Sequence, residues 1–383
     1  MKFRTLVSKI FDYRGKTPKK IGYDWNNNGT IIAISAKNIK NQQLINLEKS
    51  HRGDERLYQA WMKDGDVKPG DVLLTSEAPL GESYQVKVDE RFIISQRIFG
   101  LRPNTEVVDV DYFAALIASR KFQKLLGSRA TGTTVLGIKQ SELLNLDIEL
   151  PSIETQKKIG VLMRILNEKI VNEQLINDNL LELAQQIFDS EYLKKQSNYP
   201  KIPLSDIVNV KSRTFNPSKA AEKEVIHFSL PAYDSETYPT MDLVDSIKSN
   251  KNIIETNTIL VSKMNPTTKR VWIPNYADNM LNVSSTEFLT FNAQSKTQQA
   301  FIWAVVDSTE YQNYLISGAT GSTGSRQRIK PKDAYAYTIG YNPEVAMQVG
   351  EKMLSLLSQV KSNRNEIETL KKLRNTLLIH LIK

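Results

Sequence analysis

Two similar stretches, Arg129-Ala-Thr-Gly-Thr-Thr134 and Gly318-Ala-Thr-Gly-Ser-Thr323, gather glycine and hydroxyl residues, and the second runs on into a basic stretch suited to phosphate. Backbone N–H groups in such glycine-rich loops can grip an anion, and Ser322-Thr-Gly-Ser-Arg-Gln-Arg328 adds two arginines to the second stretch. The same composition also marks solvent turns. Gly15-Lys16-Thr17 looks like the end of a nucleotide-phosphate loop, but Ile10 stands where that loop needs its first glycine. Gly318–Gly324 lacks the spacing of a dinucleotide fingerprint. Asn265-Pro266 runs on into Thr267-Thr268, so the Asn-Pro-Pro-aromatic motif of amino-methyltransferases is not formed. There is no His-Glu-x-x-His, no Gly-x-Ser-x-Gly and no compact Asp/Glu/Lys cluster. The absence of cysteine removes disulfides, thiolate metal sites and cysteine nucleophiles, and the histidines at 51, 227 and 380 lie far apart. The sequence therefore points to a non-catalytic chain with no cofactor and no metal. His51 reads as a surface residue and His227 as part of a strand. Trp25, Trp61, Trp272 and Trp303 read as core.

These residues need a frame, and the frame repeats. Besides the Ala-Thr-Gly stretches, Ile138-Lys139 recurs as Ile329-Lys330 and Pro151 as Pro343. Val72-Leu-Leu-Thr75 recurs as Ile259-Leu-Val-Ser262, and Ser8-Lys-Ile-Phe11 as Ser205-Asp-Ile-Val208. Five matches in the same order indicate duplication of the whole unit. Each half opens with β-type runs punctuated by Gly, Asn and Pro: Thr30–Ser35, Asp71–Thr75 and Arg91–Ser95, then Val225–Ser229 and Thr258–Ser262. A helical stretch, Tyr112–Leu126 or its counterpart Thr297–Ile316, precedes the Ala-Thr-Gly motif.

A long helix is predicted to close each half. After Pro151, residues Ile159, Met163, Leu166, Ile170, Glu173, Asn177, Leu180, Ala184, Ile187 and Glu191 alternate spacings of four and three. The same pattern returns 190 residues later as Val349, Met353, Leu356, Val360, Asn363, Ile367, Leu370, Arg374, Leu377 and Leu381. A shared heptad seam interrupted in its middle by polar residues suits a coiled coil of about 40 residues, about 60 Å long. A first helix that must return the chain to an equivalent domain favours an antiparallel pair. The expected fold is α+β, with two globular domains in a pseudo-two-fold arrangement separated by a long antiparallel two-helix coiled coil. Its parts are residues 1–150, 151–195, 196–342 and 343–383. A hydrophobic content of 40% and a net charge of +9 suit a globular chain that meets a polyanion. With no long apolar run and no secretory pattern at the start, a cytoplasmic, membrane-free setting is expected.

The pattern resembles the specificity subunit of type I restriction–modification systems. Leu150-Pro-Ser-Ile-Glu-Thr-Gln-Lys-Lys-Ile159 looks like that family's proline-then-Glu-x-Gln-x-x-Ile start of its first spacer helix. Leu181-Glu-Leu-Ala-Gln-Gln-Ile-Phe188 and Leu370-Lys-Lys-Leu-Arg-Asn-Thr-Leu-Leu378 are similar to its spacer segments, and Gly15-Lys-Thr-Pro18 to the start of a recognition domain. Asn342-Pro-Glu344 with Gln348 departs from the first-helix pattern. The resemblance implies two target-recognition domains, each reading half of a bipartite, asymmetric site, with spacer helices setting the interval. It implies double-stranded DNA, two methyltransferase subunits and restriction/translocase subunits as partners. Candidate DNA contacts in the first domain are Arg14, Lys16, Lys19, Lys20, Asn26, Lys37, Asn38, Arg129 and Thr133. In the second they are Lys211, Arg213, Lys263, Lys269, Arg270, Ser325, Arg326 and Arg328. The alternatives are a protein-bridging scaffold with two end domains, and a nuclease with a dispersed carboxylate site.

Overall fold

A computed structural model describes residues 1–89, 91–132, 134–321 and 327–382. The chain divides into two units, Met1–Ile170 with Leu370–Lys383, and Val171–Thr369. Both are β-rich, and two long helices, Ile153–Glu191 and Pro343–Leu381, each contribute a segment to both. No helix among the described residues is long and apolar enough to cross a membrane.

In the first unit, Val72–Ser76 lies between Ile98–Pro103 and Leu80–Gln85 in an antiparallel sheet whose edge strand is Val7–Asp12. All five residues of Val72–Ser76 are buried, which is why this run is continuously apolar until its hydroxyls. A second sheet pairs Ile31–Ile34 in parallel with Phe92–Ile94. The expected strands Thr30–Ser35, Asp71–Thr75 and Arg91–Ser95 thus form within a residue or so of their positions.

The second unit uses the same plan. Thr258–Ser262, again fully buried, pairs antiparallel with Phe288–Asn292 and Val271–Trp272. Glu224–Phe228 runs parallel to Asn282–Ser285 within a five-stranded sheet.

The helical stretch before each Ala-Thr-Gly motif is two helices, where the sequence pattern suggested one. Val110–Ala118 and Arg120–Arg129 meet at Ser119; Lys296–Asp307 and Thr309–Ser317 meet at Ser308. Each serine is buried and turns the chain in the same way. Its hydroxyl donates to a carbonyl three residues back (Leu116, 2.6 Å; Val305, 2.7 Å). It also accepts the N–H three residues ahead, from Phe122 and Tyr311, both at 3.2 Å. One hydroxyl ends the first helix and caps the second, satisfying groups that burial would otherwise leave unpaired.

The long helices pack together within each unit. In the second unit, Asn363 Nδ2 donates to Asn177 Oδ1 at 3.0 Å, and Lys352 meets Glu191. Advancing along one helix while retreating along the other makes the pair antiparallel. In the first unit, Arg374 donates to Asn167 Oδ1 at 2.9 Å, and Asn167 donates to Gln42 at 3.1 Å. Ile159, Met163, Leu166, Ile170, Val349, Met353, Val360 and Ile367 are all buried, as the heptad register requires. Leu180, Ile187, Leu356, Leu370 and Leu377 are only half-buried. Ala184, Phe188, Leu357 and Leu378 take the deeper positions beside them. The reason is local. Toward its C-terminus each helix buries residues that advance by fours, Ala184, Phe188, Tyr192 in one unit and Arg374, Leu378, Ile382 in the other, each set facing a domain core. Leu381, at the end of the expected seam, is exposed.

Glycines allow each helix to approach its domain. A Cβ at Gly160 would lie 2.6 Å from Asp109 Oδ1 and 2.7 Å from the Tyr112 nitrogen, at the start of Val110–Ala118. At Gly350 it would lie 2.3 Å from the Thr297 carbonyl oxygen, in the first turn of Lys296–Asp307. The two glycines stand 190 residues apart, so the close approach is duplicated with the fold.

Candidate nucleic-acid interface

In each unit the central buried strand ends in a turn, and the Ala-Thr-Gly loop closes against it. In the first unit Thr131 and Gly137 exchange backbone hydrogen bonds at 2.8 and 2.9 Å, and Gly137 bridges to Glu77. The turn carries Ala78 at φ 49° and a cis Ala78–Pro79 bond. Gly132 has φ +125°, and a Cβ there would lie 2.1 Å from the Val135 carbonyl oxygen, so the closed loop needs glycine. In the second unit Thr320 and Arg328 exchange hydrogen bonds at 2.9 Å each, Arg328 bridges to Met264, and Asn265 carries φ 49°. The repeated motif is a closed loop laid over a strand-end turn. Thr133, Ser325 and Arg326 lie outside the described residues.

Beside this turn, in the first unit, opens a polar cleft of about 480 Å³. Lys37, Lys49, His51, Gln96, Arg97 and Ala78 line it. The exposed His51 ring stacks on Trp25 with centroids 5.1 Å apart and planes 5° from parallel. Trp25 is half-buried; Trp61, Trp272 and Trp303 are buried, in keeping with a core role. Arg97 pairs with Glu77 at 3.0 Å. Lys37 and Lys49 are exposed and have no ion partner among the described residues.

The first-domain candidates divide by what already holds them. Arg14 is bound into the framework: it pairs with Asp12 at 2.7 Å, donates to the Ile138 carbonyl at 3.1 Å and lies 3.9 Å over the Phe99 ring. Lys16 donates to the Trp61 carbonyl at 2.8 Å, and burial lowers its pKa, with Lys63 adding to the shift. Asn38 is buried in a capping box with Ser35 and also donates to Ser50 at 2.8 Å, so its polar groups are committed locally. Lys19 and Lys20 are exposed, Lys20 donating to the Gly15 carbonyl at 2.8 Å. Exposed Asn26 accepts the Asn28 N–H at 3.0 Å. Arg129 is exposed with Glu142 3.7 Å away. Of this set, Lys37 and Asn38 line the cleft. Gly15, at φ +77°, is the turn its sequence suggested.

In the second domain the bases mostly sit beside acids. Arg213 faces Glu255 at 3.6 Å, Lys269 pairs with Asp307 at 2.9 Å, Arg270 with Asp234 at 2.6 Å and Arg328 with Glu287 at 3.0 Å. Burial raises the pKa of Asp307, an effect that Lys269 opposes. Lys211 is exposed, and Lys263 is half-buried with its N–H on the Glu287 carbonyl at 3.0 Å. On the five-stranded sheet, His227 Nδ1 lies 2.7 Å from Asp242, with Nε2 buried and unpartnered. Among the described residues no group of three or more His, Asp or Glu is placed to hold a metal.

Sequence reading passed over Lys49, Gln96 and Arg97. They lie on two separate segments, and the pairing of Ile31–Ile34 with Arg52–Gly53 on one side and Phe92–Ile94 on the other brings those segments to one rim. Gln156, singled out by its motif, is buried; its Oε1 accepts the Asp109 N–H at 3.0 Å and its Nε2 donates to the Pro151 carbonyl at 3.0 Å. In the second half, buried Ala346 stands at the equivalent position, and Asn342 instead caps the helix by accepting from Glu344 at 3.0 Å and Val345 at 3.2 Å.

The profile of the type I restriction modification DNA specificity domain matches residues 7–182. Residues 7–182, just under half of the chain, are thus similar to that DNA specificity domain. It is 27% identical over 183 residues to the type I restriction enzyme MjaIX specificity subunit of Methanocaldococcus jannaschii, covering 47% of this chain and 40% of that one. It is 24% identical over 177 residues to the HindI specificity subunit of Haemophilus influenzae, covering 45% and 37% respectively. The chain thus matches about two fifths of the length of these relatives. The fold is similar to the crystal structure of a type I restriction–modification S subunit from M. genitalium, with a TM-score of 0.58 and 14% identity over 100% of this chain and 95% of that one.

Proposed function

We propose that this chain is the non-catalytic DNA-specificity subunit of a type I restriction–modification complex. Recognition domains 1–150 and 196–342 each read one half of a bipartite, asymmetric site, and spacer helices 151–195 and 343–383 set the interval between the halves. The observation that carries this reading is the repetition of one frame with different surface chemistry. Both units build the serine elbow, the glycine contact and the closed loop. The first offers an open cleft with unpaired lysines, whereas the second ties most of its candidate bases to carboxylates. Like frames dock in like ways, and unlike surfaces select unlike half-sites.

Double-stranded DNA is the ligand, in a cytoplasmic setting. Two methyltransferase subunits and restriction/translocase subunits are the protein partners, and the complex's methyl-transfer and ATP-driven chemistry resides in them. In the cleft, Lys37 and Lys49 are placed for phosphates, with Gln96 and Arg97 available for base edges.

The test assembles the full chain with its methyltransferase and selects bound duplexes from a randomised pool. Two separated half-sites of different sequence are expected, with affinity falling steeply as salt rises. Replacing both Lys37 and Lys49 by Ala should weaken binding to all sequences alike and reduce the salt slope by about two. Recovery of no common sequence would favour a protein-bridging scaffold instead. Removing one heptad from each long helix in register should shorten the spacer and leave both half-sites unchanged. An unchanged spacer would defeat the ruler role.

A further inference from the structure

We propose that Val135 and Leu136 form an apolar fingertip that reads thymine methyl groups in the half-site of the first domain. The inference rests on the DNA-specificity reading and adds to it the chemical group that is read. The two side chains are adjacent at the tip of the closed loop and are 49% and 55% exposed. The loop that presents them is held at both ends. Reciprocal Thr131–Gly137 hydrogen bonds close it, the Ile138 N–H donates to the Ser76 carbonyl at 3.0 Å, and Gly132 permits its tight return. A side chain on a fixed loop loses little conformational freedom when a partner covers it.

The surroundings say what that partner is. Arg129 and Lys139 flank the loop, and both are exposed. Gly137 bridges to Glu77, the acid that holds Arg97 on the rim of the cleft bearing Lys37 and Lys49. Around the two apolar side chains Arg129 and Arg97 face Glu142 and Glu77, and Lys139, Lys37 and Lys49 leave an excess of positive charge, which matches a ligand that is anionic overall with small apolar spots on its edge. Duplex DNA is such a ligand, and in its major groove the apolar spot is the thymine C5 methyl. The equivalent stretch of the second domain, Gly321-Ser-Thr-Gly-Ser-Arg-Gln327, contains no apolar pair, so the fingertip belongs to one half-site only.

The experiment uses the full chain assembled with its methyltransferase, and the duplex recovered by selection as probe. Each thymine is replaced in turn by uracil, which removes only the methyl group. At least one replacement, confined to one half-site, should weaken wild-type binding about fourfold, the value of one buried methyl. The V135S/L136S variant should bind the thymine duplex weaker by a similar factor or more, lose nothing further on uracil replacement, and keep the wild-type salt slope. Because both side chains are exposed, its thermal unfolding should match the wild type. The proposal fails if no thymine is sensitive, if the variant and uracil losses simply multiply, or if the variant assembles poorly yet keeps its selectivity once assembled, which would make the tip a protein contact. Failure of the wild-type complex to select any sequence would instead overturn the DNA-specificity reading itself.

Discussion

Ser119 and Ser308 make the same two hydrogen bonds with nearly the same lengths, yet the loops that follow them have diverged in length and chemistry. Thr131 closes on Gly137 and Thr320 on Arg328, so the second loop is two residues longer. The first carries Val135 and Leu136; the second is a run of Gly, Ser, Thr, Gln and Arg. Buried polar groups tolerate little change, because an unpaired buried hydroxyl or N–H costs about 1–3 kcal/mol. A loop tip in solvent bears no such constraint. A duplicated fold can therefore hold its elbows constant while its tips become different readers.

That contrast is open to measurement, beginning with the helix contacts. Gly350→Ala should destabilise the chain by about 2–4 kcal/mol, because its Cβ meets a backbone carbonyl that cannot rotate away. Gly160→Ala should cost somewhat less, since the Asp109 carboxylate can swing aside even though the Tyr112 nitrogen cannot. Denaturant midpoints at constant slope would read both, and free acceptance of alanine at only one of the sites would break the parallel between the halves.

Next come the seam asparagines. Asn177→Leu alone should cost about 1–3 kcal/mol by leaving the buried Asn363 Nδ2 without its acceptor, while Gln359 still donates to Asn363 Oδ1 at 2.6 Å. The double Asn177→Leu, Asn363→Leu variant should recover much of that loss while loosening register, visible as a broadened or multi-step unfolding transition. A double variant as unstable as the single would show that the pair contributes more than mutual satisfaction.

The elbows should be equivalent: Ser119→Ala and Ser308→Ala each lose about 1 kcal/mol. A difference well beyond that scale between them would mean that one elbow has acquired a second duty.

The smallest effect belongs to the second unit. Burial lowers the pKa of His227, against the pull of Asp242, so the folded chain binds this proton less readily than the unfolded chain does. The stabilisation is complete above the ordinary histidine pKa and is lost as the pH falls toward the folded value. Thermal unfolding of His227→Gln should show a shallower decline than wild type as the medium is acidified below about pH 6.5. An unaltered pH profile would remove His227 from the account.

Much of this architecture was legible in residue order. Duplication, the main buried strands and the two long helices follow from spacing, because strand and helix periodicities are local properties of the chain. The seam was legible from Ile159 to Ile170 and at Val349, Met353, Val360 and Ile367, and drifted toward the C-terminal end of each helix, where burial advances by fours. Leu180 and Ile187 illustrate the drift: they are half-buried, while Ala184 of the seam and Phe188 beside it are fully buried. The candidate bases were less legible, because a lysine or arginine carries no mark in sequence of whether an acid awaits it. Arg14 and Arg270 proved to be anchored by Asp12 and Asp234, while Lys49 and Arg97 reached the cleft unannounced.

The sequence by itself determined the repeated plan and the helical seam with its polar middle, since both are written in short-range spacing. Only the tertiary structure decided which cations stay open, how the strand-end turn and the closed loop make one surface, and why Gly160 and Gly350 must be glycine. Those outcomes depend on groups far apart in the chain meeting within a few ångströms, and residue order does not encode such distances locally.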